Sequence, residues 1–133
     1  MTYDEAIAEI TASFGLVPSF MQYIPRDALA GEWQAMKKIQ LDPGHVPPKY
    51  KELIGVGIAS VTHCRYCSYF HTEVAKVFGA TDEEIEEAIR FAKSSAGWST
   101  YLNGQQADFD TFKKEIDQAC RHVRAALAGG ASS

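Results

Sequence analysis

The hydrophobic positions of the chain recur at intervals of three and four residues, a period that predicts α-helices along nearly its whole length. We predict helices over residues 3–13, 26–41, 49–62, 63–78, from Thr81 to a break at Gly97, and 108–127. The short apolar run at 53–61 also suits a strand, but its flanks favour a helix. The pattern therefore predicts an all-α fold, a single-domain bundle of about six helices over residues 1–127, with a disordered tail at 128–133.

Residues that begin and end helices punctuate this pattern. Gly15 is a predicted stop for the first helix, and an Asp-Pro-Gly sequence at 42–44 ends the second. Thr62 is the predicted N-cap of the fourth helix. Thr81 and Glu84 have the spacing of a capping box, which predicts the start of the fifth helix.

The helix at 49–62 is apolar on nearly every side, which is typical of a helix buried at the centre of a protein. Its small residues would let a neighbouring helix approach closely: Gly55, Gly57, Ala59 and Ser60. A second apolar stretch, residues 16–25, is bracketed by prolines. We expect that stretch to pack into the core or to cover a partner subunit, because so much apolar surface is hard to cover in one small bundle.

Composition narrows the function classes. The chain has 133 residues, 46% of them hydrophobic, and a formal charge of −4 with no basic cluster longer than a pair of lysines. A nucleic-acid partner is not expected, since phosphate neutralisation needs a basic face. No apolar run is long enough to span a bilayer, and the acidic, polar start does not resemble a secretory signal, so we expect a cytoplasmic protein with no membrane partner.

Reactive side chains concentrate in one stretch, from Glu52 to His71. Cys64 and Cys67 form a C-x-x-C pair at the predicted start of a helix, where unpaired backbone N–H groups favour a thiolate. His71 follows Cys67 by one helical turn, so its imidazole can exchange a proton with that sulfur. If the two helices pack antiparallel, the Glu52 carboxylate can orient the imidazole, which completes a carboxylate–imidazole–thiol relay.

Each of these residues also has a structural interpretation. Glu52 suits the first turn of a helix, where the dipole favours an acid, and His71 suits a partly buried packing position. Zinc is the main rival to thiol chemistry, with Cys64, Cys67 and His71 as ligands and His63 or Glu52 as a fourth, although no second ligand pair is present. We assign no cofactor and no metal.

The remaining cysteine and histidines receive no role in the site. Cys120 lies beside the apolar face of the last predicted helix, and we expect it in the core. His45 and His122 fall in a turn and on a polar helical surface. Three cysteines in a chain without an export signal argue against a structural disulfide framework.

The sequence Glu52, eleven residues, Cys64-x-x-Cys67, three residues, His71 resembles the signature of the AhpD-like alkylhydroperoxidases, within the carboxymuconolactone decarboxylase superfamily. The resemblance covers about residues 45–95. It implies a helical homo-oligomer (dimer, trimer or hexamer) whose cysteine pair cycles between dithiol and disulfide. It also implies a hydroperoxide substrate and, as reductant, an external dithiol or a thiol protein.

The resemblance assigns catalytic roles to four residues: Glu52, Cys64, Cys67 and His71. Cys67 would attack and Cys64 would resolve, whereas the helix dipole by itself favours a thiolate at Cys64. The best-known branch has a histidine just before the second cysteine, and this chain has Tyr66, whose phenol does not shuttle protons near neutral pH. Tyr66 and His63 are therefore accessory candidates. The decarboxylase branch generally lacks the cysteine pair, so lactone decarboxylation is not expected.

Overall fold

Helices form where the apolar period predicts them, in a computed structural model that describes residues 1–130. Within that range the structure has six α-helices and no strand: α1 (Tyr3–Phe14), α2 (Leu29–Met36), α3 (Pro48–Thr62), α4 (Arg65–Val77), α5 (Asp82–Gly104) and α6 (Phe109–Gly130). A 3₁₀-helix (Ser19–Tyr23) precedes α2, and a π-helix (Lys37–Leu41) follows it directly. The predicted all-α fold is confirmed.

The chain divides into two compact units, one from Met1 to Ala92 and one that begins at Lys93, inside α5. The predicted domain over residues 1–127 stays a prediction. Residues 128–130, which we assigned to a disordered tail, belong to α6. The rest of the predicted tail, 131–133, lies outside the described residues.

The first helices of the Met1–Ala92 unit enclose a hydrophobic cluster. Its buried members come from α1, the 3₁₀-helix and α2: Ala6, Ile10, Met21, Leu29 and Trp33. The Trp33 indole donates to the Glu9 carboxylate at 3.0 Å, and the Lys37 ammonium lies 2.9 Å from the same oxygen. Met21 is the residue of the apolar stretch 16–25 that is buried in this cluster, whereas Tyr23 of the same stretch is 83% exposed.

A second cluster of the same unit lies between α3, α4 and the start of α5. Its buried members are Val56, Ala75, Ala80 and Ile85. Lys49 in the first turn of α3 forms an ion pair with Glu84 of α5 at 2.9 Å. The expectation that α3 is buried on nearly every side is wrong, since Ile54, Ile58 and Val61 are each about half exposed on the described chain.

Several helix ends differ from the prediction. The helix predicted from residue 26 begins at Leu29, because the Pro25 carbonyl accepts from the N–H groups of both Ala28 and Leu29 and closes a turn first. Gly97 does not break α5, since a lone glycine lowers helix propensity by only about 1 kcal/mol. Thr62 is the last residue of α3 and not the cap of α4, and its hydroxyl donates to the Ile58 carbonyl at 2.9 Å. Other predicted ends are confirmed, such as the left-handed Gly15 after α1 and the Thr81–Glu84 capping box.

In the unit that begins at Lys93, α6 buries none of its residues within the chain. Asp108 opens the helix by accepting from the Thr111 N–H at 2.9 Å. The hydrogen bond from the Thr111 hydroxyl, followed by that from the Thr111 N–H, holds the pKa of the Asp108 carboxyl below its ordinary value. The expectation that Cys120 is a core residue is wrong, because α6 leaves it exposed. Across residues 1–130, no helix has both the length and the apolar character that crossing a membrane requires.

Candidate active site

The turn between α3 and α4 places the cysteine pair. His63 ends α3 in the left-handed conformation, with φ of 56°, which reverses the chain within two residues. Cys64 is then the N-cap of α4: its sulfur accepts the Cys67 N–H, with 3.2 Å between sulfur and nitrogen. We predicted Cys64 two positions further into the helix, within its first turn. At the cap its sulfur receives directly a backbone N–H that has no partner within the helix.

Cys64 and Cys67 are joined by a disulfide, with 5.3 Å between their Cα atoms. The two cysteines differ in exposure, since Cys67 is exposed on the surface of α4 and Cys64 is half-buried. An external thiol therefore has the more open approach to the Cys67 sulfur. Attack there would release Cys64 as a thiolate beneath the N–H groups of the helix start.

One turn further along α4, His71 meets the carboxylate of α3. The His71 Nδ1 and Glu52 Oε2 atoms lie 2.7 Å apart, and the two side chains are 19% and 2% exposed. A carboxylate can only accept, so an ionised Glu52 places the imidazole proton on Nδ1. The other ring nitrogen, Nε2, then carries the free lone pair that a proton exchange requires.

The structure thus brings the predicted site residues together in two pairs. Glu52 and His71 form a hydrogen bond across α3 and α4, and Cys64 and Cys67 form the disulfide at the start of α4. Among residues 1–130 no hydrogen bond joins the imidazole to either sulfur. In the disulfide form the hydrogen bonding from Glu52 therefore ends at the imidazole.

The two accessory candidates lie at the surface beside the cysteines. The Tyr66 side chain is 74% exposed, and its hydroxyl accepts from the Arg65 guanidinium at 3.3 Å. The Arg65 guanidinium carbon also lies 5.1 Å from the Tyr66 ring centroid. His63 is exposed. In the described part of the chain, neither Tyr66 nor His63 is hydrogen-bonded to Glu52 or His71.

A pocket of about 320 Å³ opens onto the Glu52–His71 pair. Four aliphatic side chains form much of its wall: Ile39, Val46, Ile54 and Ile58. The Lys51 ammonium donates to the carbonyls of Ile39 and Asp42, at 3.3 and 3.0 Å, and so fastens the end of the π-helix to α3. A π-turn within a helix is frequent at functional sites, and here it supplies one wall of the pocket.

Sequence reasoning did not find this pocket. Ile54 and Ile58 have the pattern of core positions in an apolar helix, and Ile39 that of the buried face of the preceding one. The Asp-Pro-Gly turn that follows Leu41 indicates a change of direction, but not which helix the chain meets afterwards. As for a metal, no group of three or more His, Cys, Asp or Glu side chains within residues 1–130 is arranged to hold one.

Comparison with known proteins assigns the family. Residues 27–107, more than half of the chain, match the profile of the carboxymuconolactone decarboxylase family, and the chain belongs to that family. An alkylhydroperoxidase AhpD core from Rhodospirillum rubrum has a similar structure, with a TM-score of 0.67 over 82% of this chain and 83% of that one. The two are 19% identical, so this similarity shows the fold alone. The predicted AhpD-like fold and superfamily are confirmed.

Two further proteins are similar to this chain in sequence. An uncharacterised protein of the cox locus of Paracoccus denitrificans is 34% identical over 73 residues, which are 55% of this chain and 66% of that protein. The chain thus spans slightly less than two thirds of the length of that relative. An uncharacterised protein of Cupriavidus necator is 29% identical over 106 residues, covering 78% of this chain and 89% of that protein.

Proposed function

We propose that the protein is a thiol-dependent peroxidase or disulfide oxidoreductase of the alkylhydroperoxidase type, active in antioxidant defence. The observation that carries the proposal is the buried carboxylate bonded to an imidazole, one helical turn from a disulfide at a helix start. A buried glutamate bonded to a partly exposed imidazole is an arrangement suited to proton transfer. A disulfide with one exposed cysteine is suited to exchange with an external thiol.

The proposed cycle starts from the dithiol. His71 Nε2 takes the proton of the Cys67 thiol, and the Cys67 thiolate attacks the terminal oxygen of a hydroperoxide. The O–O bond breaks, and the alkoxide leaves as an alcohol with the proton that the His71 imidazolium returns. Cys67 is then a sulfenic acid. The Cys64 sulfur attacks it, water leaves, and the disulfide forms. An external dithiol, or a thiol protein, returns two electrons and two protons to the pair and becomes a disulfide itself.

Glu52 acts in this cycle through His71. The carboxylate holds the proton on Nδ1 and stabilises the imidazolium that forms when Nε2 takes a proton from a thiol. Burial keeps the pair aligned, because a carboxylate at 2% exposure has little access to water as a competing partner. Tyr66 is not required for this transfer, and its exposed position suits contact with the reductant.

The pocket supports an organic hydroperoxide as substrate. Its aliphatic wall would hold an alkyl chain next to the imidazole, whereas hydrogen peroxide gains nothing from such a wall. We therefore expect a lower KM for an alkyl or aryl hydroperoxide than for hydrogen peroxide. Measuring both with the same dithiol tests this part of the proposal.

We further propose that the protein acts as a homo-oligomer in the reducing cytoplasm. Support comes from the apolar residues that α6 leaves exposed at helical spacing: Phe109, Phe112, Ile116, Val123 and Leu127. Large exposed apolar patches of this kind commonly mark protein interfaces. Light scattering of the purified protein gives the assembly size, and a monomer at micromolar concentration would contradict the assembly proposal.

The deciding experiment is dithiol-dependent peroxide consumption by cysteine variants. We expect Cys67→Ser and Cys64→Ser each to abolish turnover, and Cys120→Ser, which alters the exposed free cysteine of α6, to leave it unchanged. Activity in both site variants would contradict the proposal. Stoichiometric zinc in protein purified without chelator, together with thiols that resist mild oxidation, would favour a zinc-binding or structural helical module without redox catalysis.

A further inference from the structure

The His71 imidazole lies close against the backbone of α3 at Gly55. A β-carbon built at Gly55 would stand 2.5 Å from both Cγ and Nδ1 of the ring and 2.7 Å from Cδ2. These distances are well inside the roughly 3.5–4.0 Å at which carbon atoms make favourable contact. The clash involves the root of the imidazole, so a side chain at Gly55 has to displace the whole ring.

The other glycine in the middle of α3 has no such neighbour. A β-carbon at Gly57 would meet only the Ala92 methyl, at 3.8 Å, which is an ordinary packing distance. At Gly31 and Gly97, which lie in α2 and α5, a β-carbon would meet nothing within 4 Å. The close approach is thus specific to the glycine that faces the histidine.

Gly55 lies three residues after Glu52, and therefore about one turn along the same side of α3. The two positions contact the ring in different ways: the Glu52 carboxylate bonds to Nδ1, and the bare backbone at Gly55 supports the ring beside that nitrogen. Both positions are buried. The absence of a side chain at Gly55 lets the ring lie against α3, where its Nδ1 is 2.7 Å from Glu52 Oε2.

We propose that Gly55 is a positioning residue for His71, one that keeps the imidazole within hydrogen-bonding distance of Glu52. The proposal rests on the proposed function for its effect on catalysis, but its structural part stands on the contacts of α3 and α4 alone. A methyl group at Gly55 would push the ring outward by about 1 Å to reach van der Waals distance. That displacement breaks the Nδ1 hydrogen bond.

The first test compares Gly55→Ala with Gly57→Ala. Both replace a glycine in the same helix with a better helix former, so their effects on helix propensity are matched. We expect Gly55→Ala to lower kcat by on the order of 100-fold, the effect of a misplacement of about 1 Å, with KM changed less than about 2-fold. Gly57→Ala is expected to keep wild-type kcat and KM.

The second measurement observes the ring without relying on activity. The chain has four histidines, so their ring signals in a long-range ¹H–¹⁵N spectrum can be assigned by substitution. In the disulfide form we expect the His71 ring signals to move in Gly55→Ala and to stay in place in Gly57→Ala. Unmoved His71 signals in Gly55→Ala would overturn the proposal, as would wild-type kcat in that variant when the parent protein is active.

A double-mutant cycle separates support of the ring from any general role in α3. In the wild type, Gly55→Ala should lower the thermal midpoint because the methyl and the ring collide. In a background of His71→Ala with Glu52→Gln, which leaves neither ring nor buried charge, the same change should leave the midpoint unchanged or raise it. An equal loss in both backgrounds would overturn the proposal, because the cost would then not involve His71.

The two proposals fail in distinguishable ways. A wild-type protein that consumes no peroxide with any dithiol contradicts the proposed function, and the ring signals and thermal midpoints then still decide the role of Gly55. An active wild type with an equally active Gly55→Ala contradicts the role of Gly55 and leaves the proposed function standing. If the double background does not fold, the histidine spectra of the two alanine variants decide whether Gly55 supports the ring.

Discussion

The α1–α2 region and the α3–α4 region each hold a glutamate that is hydrogen-bonded across two helices, but in opposite surroundings. Glu9 bonds to the Trp33 indole and the Lys37 ammonium at the rim of its cluster, with a side chain 40% exposed. Glu52 bonds to His71 with a side chain 2% exposed. The Glu9 carboxylate is partly solvated and bonds to an ammonium and an indole, whereas the Glu52 carboxylate is sheltered and bonds to an imidazole.

The two regions also differ in where their large apolar side chains lie. In α1 and α2 the large apolar side chains are inside, with Ile10 and Trp33 at 0% and 1% exposure. On α3 a carboxylate is inside, while Ile54 and Ile58 are 54% and 57% exposed and line the pocket. The α1–α2 region therefore follows the usual apolar-inside arrangement, and α3 departs from it where the proposed chemistry lies.

The largest expected effect is on stability, at the centre of the α1–α2 region. Trp33→Ala should lower the free energy of unfolding by about 3–5 kcal/mol, since it removes a fully buried aromatic ring. Trp98→Ala, at a side chain 62% exposed, should change it by less than about 0.5 kcal/mol. Urea denaturation measures both. A Trp33→Ala protein as stable as the wild type would contradict the division of roles between the regions.

The next effect is on catalysis, in the α3–α4 region. Glu52→Gln should lower kcat for peroxide reduction by on the order of 100-fold, or about 2.7 kcal/mol, because a neutral amide does not stabilise the imidazolium. The matched change Glu9→Gln should leave kcat unchanged, although it alters the same functional group. Steady-state assays with one dithiol compare the two. Equal losses in both variants would show that the buried pair has no special role.

A smaller effect is expected on the exposed face of α3. Ile58→Ser should leave stability within about 0.5 kcal/mol, because the side chain is already half exposed. Because the substrate loses apolar contacts with the pocket wall, KM for an aryl hydroperoxide should rise by roughly 10-fold. KM for hydrogen peroxide should stay unchanged. Val61→Ser, on the same helix but outside the pocket, is the control. A similar change in KM for both peroxides would argue against a pocket for the alkyl group.

The smallest expected effect is the pH dependence of the stability that Glu9 gains from Lys37 and Trp33. The hydrogen bond from Lys37, followed by that from Trp33, holds the pKa of Glu9 below its ordinary value of 4.5. The stabilisation is therefore complete above the ordinary pKa and is lost as the pH falls through the lower pKa of the folded state. We expect the thermal midpoint of the wild type to exceed that of Glu9→Gln slightly at neutral pH, and the gap to close below about pH 4. A gap that widens on acidification would contradict this assignment.

Local rules predicted the parts of the fold that depend on neighbouring residues. The capping box at Thr81 depends on two side chains three residues apart, and the stop at Gly15 on one glycine that can adopt a positive φ. The start of α4 was harder to predict, because the side chains of Thr62 and Cys64 are both able to cap a helix. The left-handed turn at His63 decides between them, and it forms where α3 has to reverse and pack on α4.

In the candidate site, too, the features that depend on neighbouring residues were predicted and those that depend on helix packing were not. The spacing of Cys64 and Cys67 suffices for a disulfide, since three residues at a helix start bring their Cα atoms to 5.3 Å. A contact between Glu52 and His71 was predicted only on the condition that their helices pack antiparallel. The pocket and the support at Gly55 were not predicted, because both require knowing which side chains of separate helices come within a few ångströms of each other.

By itself, then, the sequence determined the helical period and the cysteine pair at a helix start, which depend on residues close together in the chain, and the family, which the spacing from Glu52 to His71 indicated. Only the tertiary structure decided that Glu52 is buried on His71, that Ile54 and Ile58 line a pocket, and that Gly55 supports the imidazole. The physical reason is that burial and contact across helices depend on how closely and at what angle two helices pack. An apolar pattern specifies which residues tend to be inside, but not which of them a neighbouring helix covers.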